Sequence, residues 1–147
     1  MKTGITGKVS IWIDATAEEV WKALTTPELI KQYFFNTNAV SNWKVGSPIL
    51  FHGEWEGKQY EDKGTIKEII PEKFLRYSYW SSLSGIEEKP ENYVDITYAL
   101  TEENGGTTLV ITQENIPDEK MREHSEENWN KVVEGLKDLV EKQNVMA

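Results

Sequence analysis

The sequence predicts an α+β domain, in which a curved antiparallel sheet of about six or seven strands wraps around a long C-terminal helix and two short helices follow the first strand. Three observations predict it. From Trp43 to Gln113 apolar residues recur at period two and turn residues separate the runs, the pattern of an antiparallel meander. Past Pro117 the apolar positions Met121, Trp129, Val132, Val133, Leu136, Leu139 and Val140 are spaced by three and four, one face of a helix. A sheet with one apolar face must be covered, and that last helix is the only element long enough to do it.

Each element has its own signal. Residues 5–13 alternate, with Ile5, Gly7, Val9, Ile11 and Ile13 on one side and Thr6, Lys8 and Ser10 on the other, as a half-buried strand does. Thr16-Ala17-Glu18-Glu19 reads as a capping box, the Thr16 hydroxyl accepting from the Glu19 N–H while the Glu19 carboxylate reaches back. The helix it opens buries Ala17, Val20, Trp21 and Leu24. Thr26-Pro27 ends that helix and starts a second one carrying Leu29, Ile30, Tyr33 and Phe34, because proline suits the first helical position. A short strand near 38–41 precedes strands near 48–56, 59–70, 73–80, 92–101 and 107–114. They are broken at Gly57-Lys58, Pro71-Glu72, the polar loop 81–91 and Asn104-Gly105-Gly106. The closing helix is expected from about Ser125, a natural N-cap, to Gln143, roughly 28 Å at 1.5 Å per residue.

Composition removes several function classes. The chain has 147 residues, which fits one domain, here expected to span 1–147. It has no cysteine, so disulfides, thiolate metal sites and a Cys nucleophile are excluded. A net charge of -9 repels polyphosphate and anionic lipid, so no nucleic-acid partner is expected. Uninterrupted apolar runs reach three residues, as in Ile49-Leu50-Phe51, too short for a membrane span or a signal-peptide core. A soluble, cytoplasmic protein is the expectation.

Motifs for chemistry are scarce. His52, Glu54 and Glu56 share one side of a strand, but a strand row spreads side chains by about 7 Å per step, so a solvated row is favoured over a metal site. His124 has no second histidine at helical spacing. Neither Gly-x-Ser-x-Gly nor a complete phosphate-binding loop occurs. The residues therefore name no catalytic group, no metal ligand and no cofactor. Acid–base work by a pocket Glu, Asp or Tyr stays open, since burial shifts such groups.

The residues Ile13-Asp14-Ala15, Glu18-Glu19-Val20-Trp21-Lys22-Ala23-Leu24-Thr25-Thr26-Pro27-Glu28, Gly64-x-Ile66-x-Glu68-Ile69-x-Pro71 and Leu75-x-Tyr77-Ser78-x-Trp80 resemble the START-like (SRPBCC) superfamily. More narrowly they resemble bacterial single-domain homologues of the activator of heat shock protein 90 ATPase, and Trp129 with Val133, Leu136 and Leu139 matches that family's closing helix. Two positions depart from the pattern: Asn128 stands where a glycine commonly precedes the helix tryptophan, and Gln32-Tyr33 where a tryptophan is usual. The resemblance implies a helix-grip fold with a cavity for an apolar ligand. It makes Phe51, Trp55, Tyr77, Tyr79, Trp80, Trp129, Val133 and Leu136 candidates for the pocket lining, with Trp129 and Val133 as its helical wall. Taken singly, each of these aromatics is better explained by core filling, because interiors are close-packed. The expected function is binding of an apolar or amphipathic small molecule. One alternative is a cyclase- or dehydratase-type enzyme using the same pocket. Another is a co-chaperone of the heat shock protein 90 ATPase, although the eukaryotic activator has a further N-terminal domain that 147 residues do not accommodate.

Overall fold

A computed structural model describes residues 4–34, 36–55, 57–81 and 86–146, leaving aside the side chains of residues 55 and 143–146. The elements run β1 (Thr6–Ile13), α1 (Ala17–Thr25), α2 (Pro27–Tyr33), β2 (Asn38–Ser41), β3 (Pro48–Trp55), β4 (Lys58–Ile70), β5 (Phe74–Tyr79), a 3₁₀ turn (Pro90–Asn92), β6 (Val94–Glu103), β7 (Gly106–Glu114) and α3 (Glu119–Met146). The strands form one curved antiparallel sheet in the order β1-β7-β6-β5-β4-β3-β2. The fold is thus the helix-grip α+β architecture, with the order of elements that the sequence predicts.

Local chemistry explains the turns. The hairpin between β6 and β7 closes on Asn104 and Gly105 at φ 53° and 80°, the left-handed pair that a tight two-residue turn requires. Thr16 caps α1 as expected: its hydroxyl accepts from the Glu19 N–H at 3.2 Å and donates to the Glu19 carboxylate. Two boundaries differ. The last helix starts at Glu119, six residues before Ser125, because Asp118 supplies the cap, its carboxylate accepting from the Met121 N–H at 2.8 Å. Ser125 lies inside the helix, where its hydroxyl donates to Gln113 on β7 at 2.7 Å instead of capping anything. At 28 residues the helix is roughly 42 Å long. Trp80 lies beyond β5 and makes an isolated bridge to Lys63.

Alternation along the strands assembles the core. Ile13, Ile49, Ile66, Leu75, Tyr77, Ile96, Leu109 and Ile111 are essentially inaccessible, and from the helices Val20, Ala23, Val133, Leu136 and Val140 pack against them. Helix α3 also closes the free edge of β1. Glu126 accepts from the Lys8 N–H and Glu141 from the Asp14 N–H, both at 2.9 Å, so backbone donors that would otherwise recruit another strand are occupied. Among the described residues no helix is long and apolar enough to cross a membrane.

Candidate functional site

Residues directly opposite in an antiparallel ladder share a face, so the register decides what the concave side presents. Phe51 lies opposite Asp62, Ile49 opposite Gly64, Ile66 opposite Tyr77, and Leu75 opposite Tyr98. The rings on this face form a chain. Phe51 lies 5.9 Å from Phe34 and from Tyr77 and 5.7 Å from Tyr79, while Tyr98 lies 5.6 Å from Tyr77 and 6.1 Å from Trp129. Edge-on and tilted contacts predominate, as ring quadrupoles favour. Phe34, at the end of α2, closes the chain by meeting Trp129 at 5.8 Å.

Beneath the two short helices these rings leave a void of about 10 Å³. Leu24, Ile30, Tyr33 and Phe34 cover it, Trp43 stands at its side, and Ile49, Phe51, Leu75, Tyr77 and Tyr98 form its floor. That volume matches about one water, far below the several hundred Å³ of a typical ligand cleft. Phe34 and Trp43 are only half-buried and form its rim.

Three phenols meet here, and each has a hydrogen bond. Tyr33 donates to the Ala23 carbonyl at 2.9 Å, and the Tyr77 and Tyr98 hydroxyls bond each other at 2.8 Å. Burial pushes the pKa of all three upward, with the neighbouring Tyr98 adding to the rise at Tyr33 and Tyr77, so they stay neutral at physiological pH. Farther along the face Asp62, 7% exposed, accepts a very short hydrogen bond from Tyr79, whose pKa is raised by burial and then by this carboxylate.

The candidates from the sequence divide by position. Phe51 and Tyr77 line the void. Tyr79 belongs to the same ring chain through Phe51 but contacts Asp62, and Trp80 donates to the Ile86 carbonyl under the Lys63 ammonium. Trp129, Val133 and Leu136 are buried on α3, and among the described residues none of α3 lines the void, so the hollow lies toward α1 and α2 instead. The physical reason is bulk: the Trp129 indole spans the space to Tyr98 and Phe34, and its N–H is tied to Gln113 at 2.8 Å. The Trp55 side chain lies outside the described residues. Tyr98, Tyr33 and Asp62 are not among the pocket candidates from the sequence, where Tyr33 stands only as an apolar position of the second helix and a departure from the family pattern. Tyr98 had a signal in the Val94-Ile96-Tyr98-Leu100 alternation, and Asp62 had none, since nothing local marks an acid as inward.

A wider concavity of about 720 Å³ lies between the α2–β2 connection and the β3–β4 hairpin, lined by Lys31, Asn38, His52, Glu54, Tyr60 and Glu61 among others. His52 and Glu54 are exposed, as the strand row predicts, and Glu56 lies outside the described residues. This cleft is open, mostly polar and, among the described residues, without a buried titratable group, so the aromatic interior is the candidate site. Among the described residues no three His, Asp or Glu side chains are grouped to hold a metal ion.

Comparison with known proteins supplies the remaining findings. The family model described as Activator of Hsp90 ATPase homolog 1-like protein matches residues 14–141. The solution structure of ChR145 from Cytophaga hutchinsonii is 46% identical, covers 100% of both chains and superposes with a TM-score of 0.84. The Aha1 dimer from Colwellia psychrerythraea, at 21% identity and covering 92% of this chain and 96% of its own, has a TM-score of 0.73. MLL2253 from Mesorhizobium loti, at 24% identity over 94% and 98%, has a TM-score of 0.76. Both of these share the fold. No curated protein sequence matches the chain.

Proposed function

Since the chain belongs to the Activator of Hsp90 ATPase homolog 1-like family, we propose that it is a cytoplasmic START-like domain, 1–147, that binds an apolar or amphipathic small molecule in its aromatic interior. One observation carries this reading: the void under α1 and α2 is walled by aliphatic and aromatic side chains, carries a few placed hydroxyls, and is rimmed by the half-buried Phe34 and Trp43. The resting void admits one water at most, so binding is coupled to displacement of Phe34 and the helix it ends.

Native mass spectrometry of freshly purified protein, compared with the denatured chain, tests for a retained small molecule. A titration with indane, followed by thermal stabilisation, tests the site itself. Phe34→Ala is expected to bind indane more tightly than the wild type, because truncation enlarges a dry cavity that an apolar ligand fills. No stabilisation by indane in either protein would end the proposal.

The pairing of Asp62 with Tyr79 on the same concave face favours a second reading, a cyclase- or dehydratase-type enzyme, because a buried carboxylate bonded to a phenol is an arrangement suited to moving a proton. Asp62→Asn should then leave binding of a retained compound intact and stop its conversion. The family description favours a co-chaperone role, which stimulation of the heat shock protein 90 ATPase by this chain would test directly.

A further inference from the structure

We propose that the Tyr77–Tyr98 hydroxyl pair is the polar handle of the interior site and selects uncharged, apolar molecules that carry one carbonyl group. The inference rests on the reading of the interior as a binding site and adds the chemistry of its occupant.

Proton counting carries it. Two phenols bring two O–H protons, and one hydrogen bond between them uses one. Whichever oxygen donates, the other keeps a proton, and neither hydroxyl has a further hydrogen bond among the described residues. Tyr77 and Tyr98 both line the void, and we assign the surplus donor to its wall. The third phenol there, Tyr33, already spends its proton on the Ala23 carbonyl. The wall therefore offers one donor in surplus and matches a ligand with an acceptor.

Charge narrows the class. Among the described residues no Lys, Arg, His, Asp or Glu lines the void, so a carboxylate or an ammonium would enter without a counter-ion there and lose its hydration uncompensated. The phenols are held neutral by burial, which keeps the donor present throughout the physiological range. A ketone or ester oxygen on an otherwise apolar body satisfies the surplus proton and brings no charge. Tyr77 and Tyr98 pack edge-on, with planes at 89°, and both line the void, so their aromatic surface suits such a body.

The test compares indane with 1-indanone, which differ by that carbonyl, on the wild type and on Tyr77→Phe/Tyr98→Phe, with affinities from calorimetry. The quantity read is the ratio of the indane Kd to the 1-indanone Kd, since the cost of desolvating the carbonyl is common to both proteins. The double substitution should lower the ratio about threefold to tenfold, the range that one hydrogen bond supplies. Either single substitution should preserve most of it, because one phenol remains with its own proton. An independent readout needs no variant: the carbonyl stretch of 1-indanone bound to the wild type should lie below its frequency in hexane. An unshifted stretch, or a ratio indifferent to the double substitution while indane still binds, overturns the handle and leaves the interior site standing. Failure of both probes to bind either the wild type or Phe34→Ala overturns the interior site and the handle with it.

Discussion

Truncating Trp129 to alanine tests whether α3 is a packed wall of the core. The indole is 9% exposed, meets Phe34 at 5.8 Å and Tyr98 at 6.1 Å edge-on, and donates to Gln113 at 2.8 Å. Burying roughly 200 Å² of aromatic surface at about 25 cal/mol per Å² contributes about 5 kcal/mol, an upper figure because the unfolded chain already hides some of it. The lost hydrogen bond adds about 1 kcal/mol at most, since Gln113 keeps its bond from Ser125. Partial collapse of the surrounding rings offsets part of this, leaving an expected loss of about 4 kcal/mol. The assay is urea unfolding followed by far-UV circular dichroism, with the slope m unchanged between wild type and variant. Trp129→Phe, which keeps a ring but loses the indole N–H, should cost about 1–2 kcal/mol by the same reasoning. A loss below about 2 kcal/mol for the alanine variant would show that the ring stands in loosely filled space. That result would refute the placing of the hollow under α1 and α2 and return it to α3.

Three further outcomes are expected. Thr16→Ala should lose about 1 kcal/mol in the same urea assay, as the Glu19 N–H loses its side-chain acceptor. Gly64→Ala should lose about 3 kcal/mol or more, read from thermal melting, because a Cβ there would sit 1.6 Å from the Ser78 carbonyl oxygen. Glu141 has its pKa lowered from 4.5 by the hydrogen bond from the Asp14 backbone and then by Lys137. A lowered folded pKa means stability that is present above 4.5 and lost as pH falls through the folded value. Urea midpoints measured from neutral pH down to about pH 3 should therefore fall less steeply for Glu141→Gln than for the wild type.

The element order, both short helices, the Thr16 cap and the Asn104-Gly105 turn were legible in the sequence, because each depends on residues within about four positions of one another. Period-two alternation likewise grouped Phe51 with Ile49 and Tyr77 with Leu75 on one face of their strands, and the stripe from Trp129 to Val140 marked the buried face of α3. The helix start shows the limit of such signals. Asp118 and Ser125 are both good caps, and the Gln113 side chain, waiting on β7, drew Ser125 into the helix interior.

The site itself was decided by tertiary structure. Residues 21 apart placed the Tyr77 and Tyr98 hydroxyls 2.8 Å from each other, and those 17 apart brought Tyr79 to Asp62. Strand register, a property of neighbouring strands and not of any one segment, determines such pairs. The sequence by itself determined which apolar residues share a face of each strand, since burying an apolar face is a pattern written along it. Which inward residues touch, which hydroxyls pair and where the packing leaves a gap were decided only when the strands aligned and the helices settled over them. Packing and hydrogen-bond satisfaction depend on three-dimensional neighbours that no local spacing records.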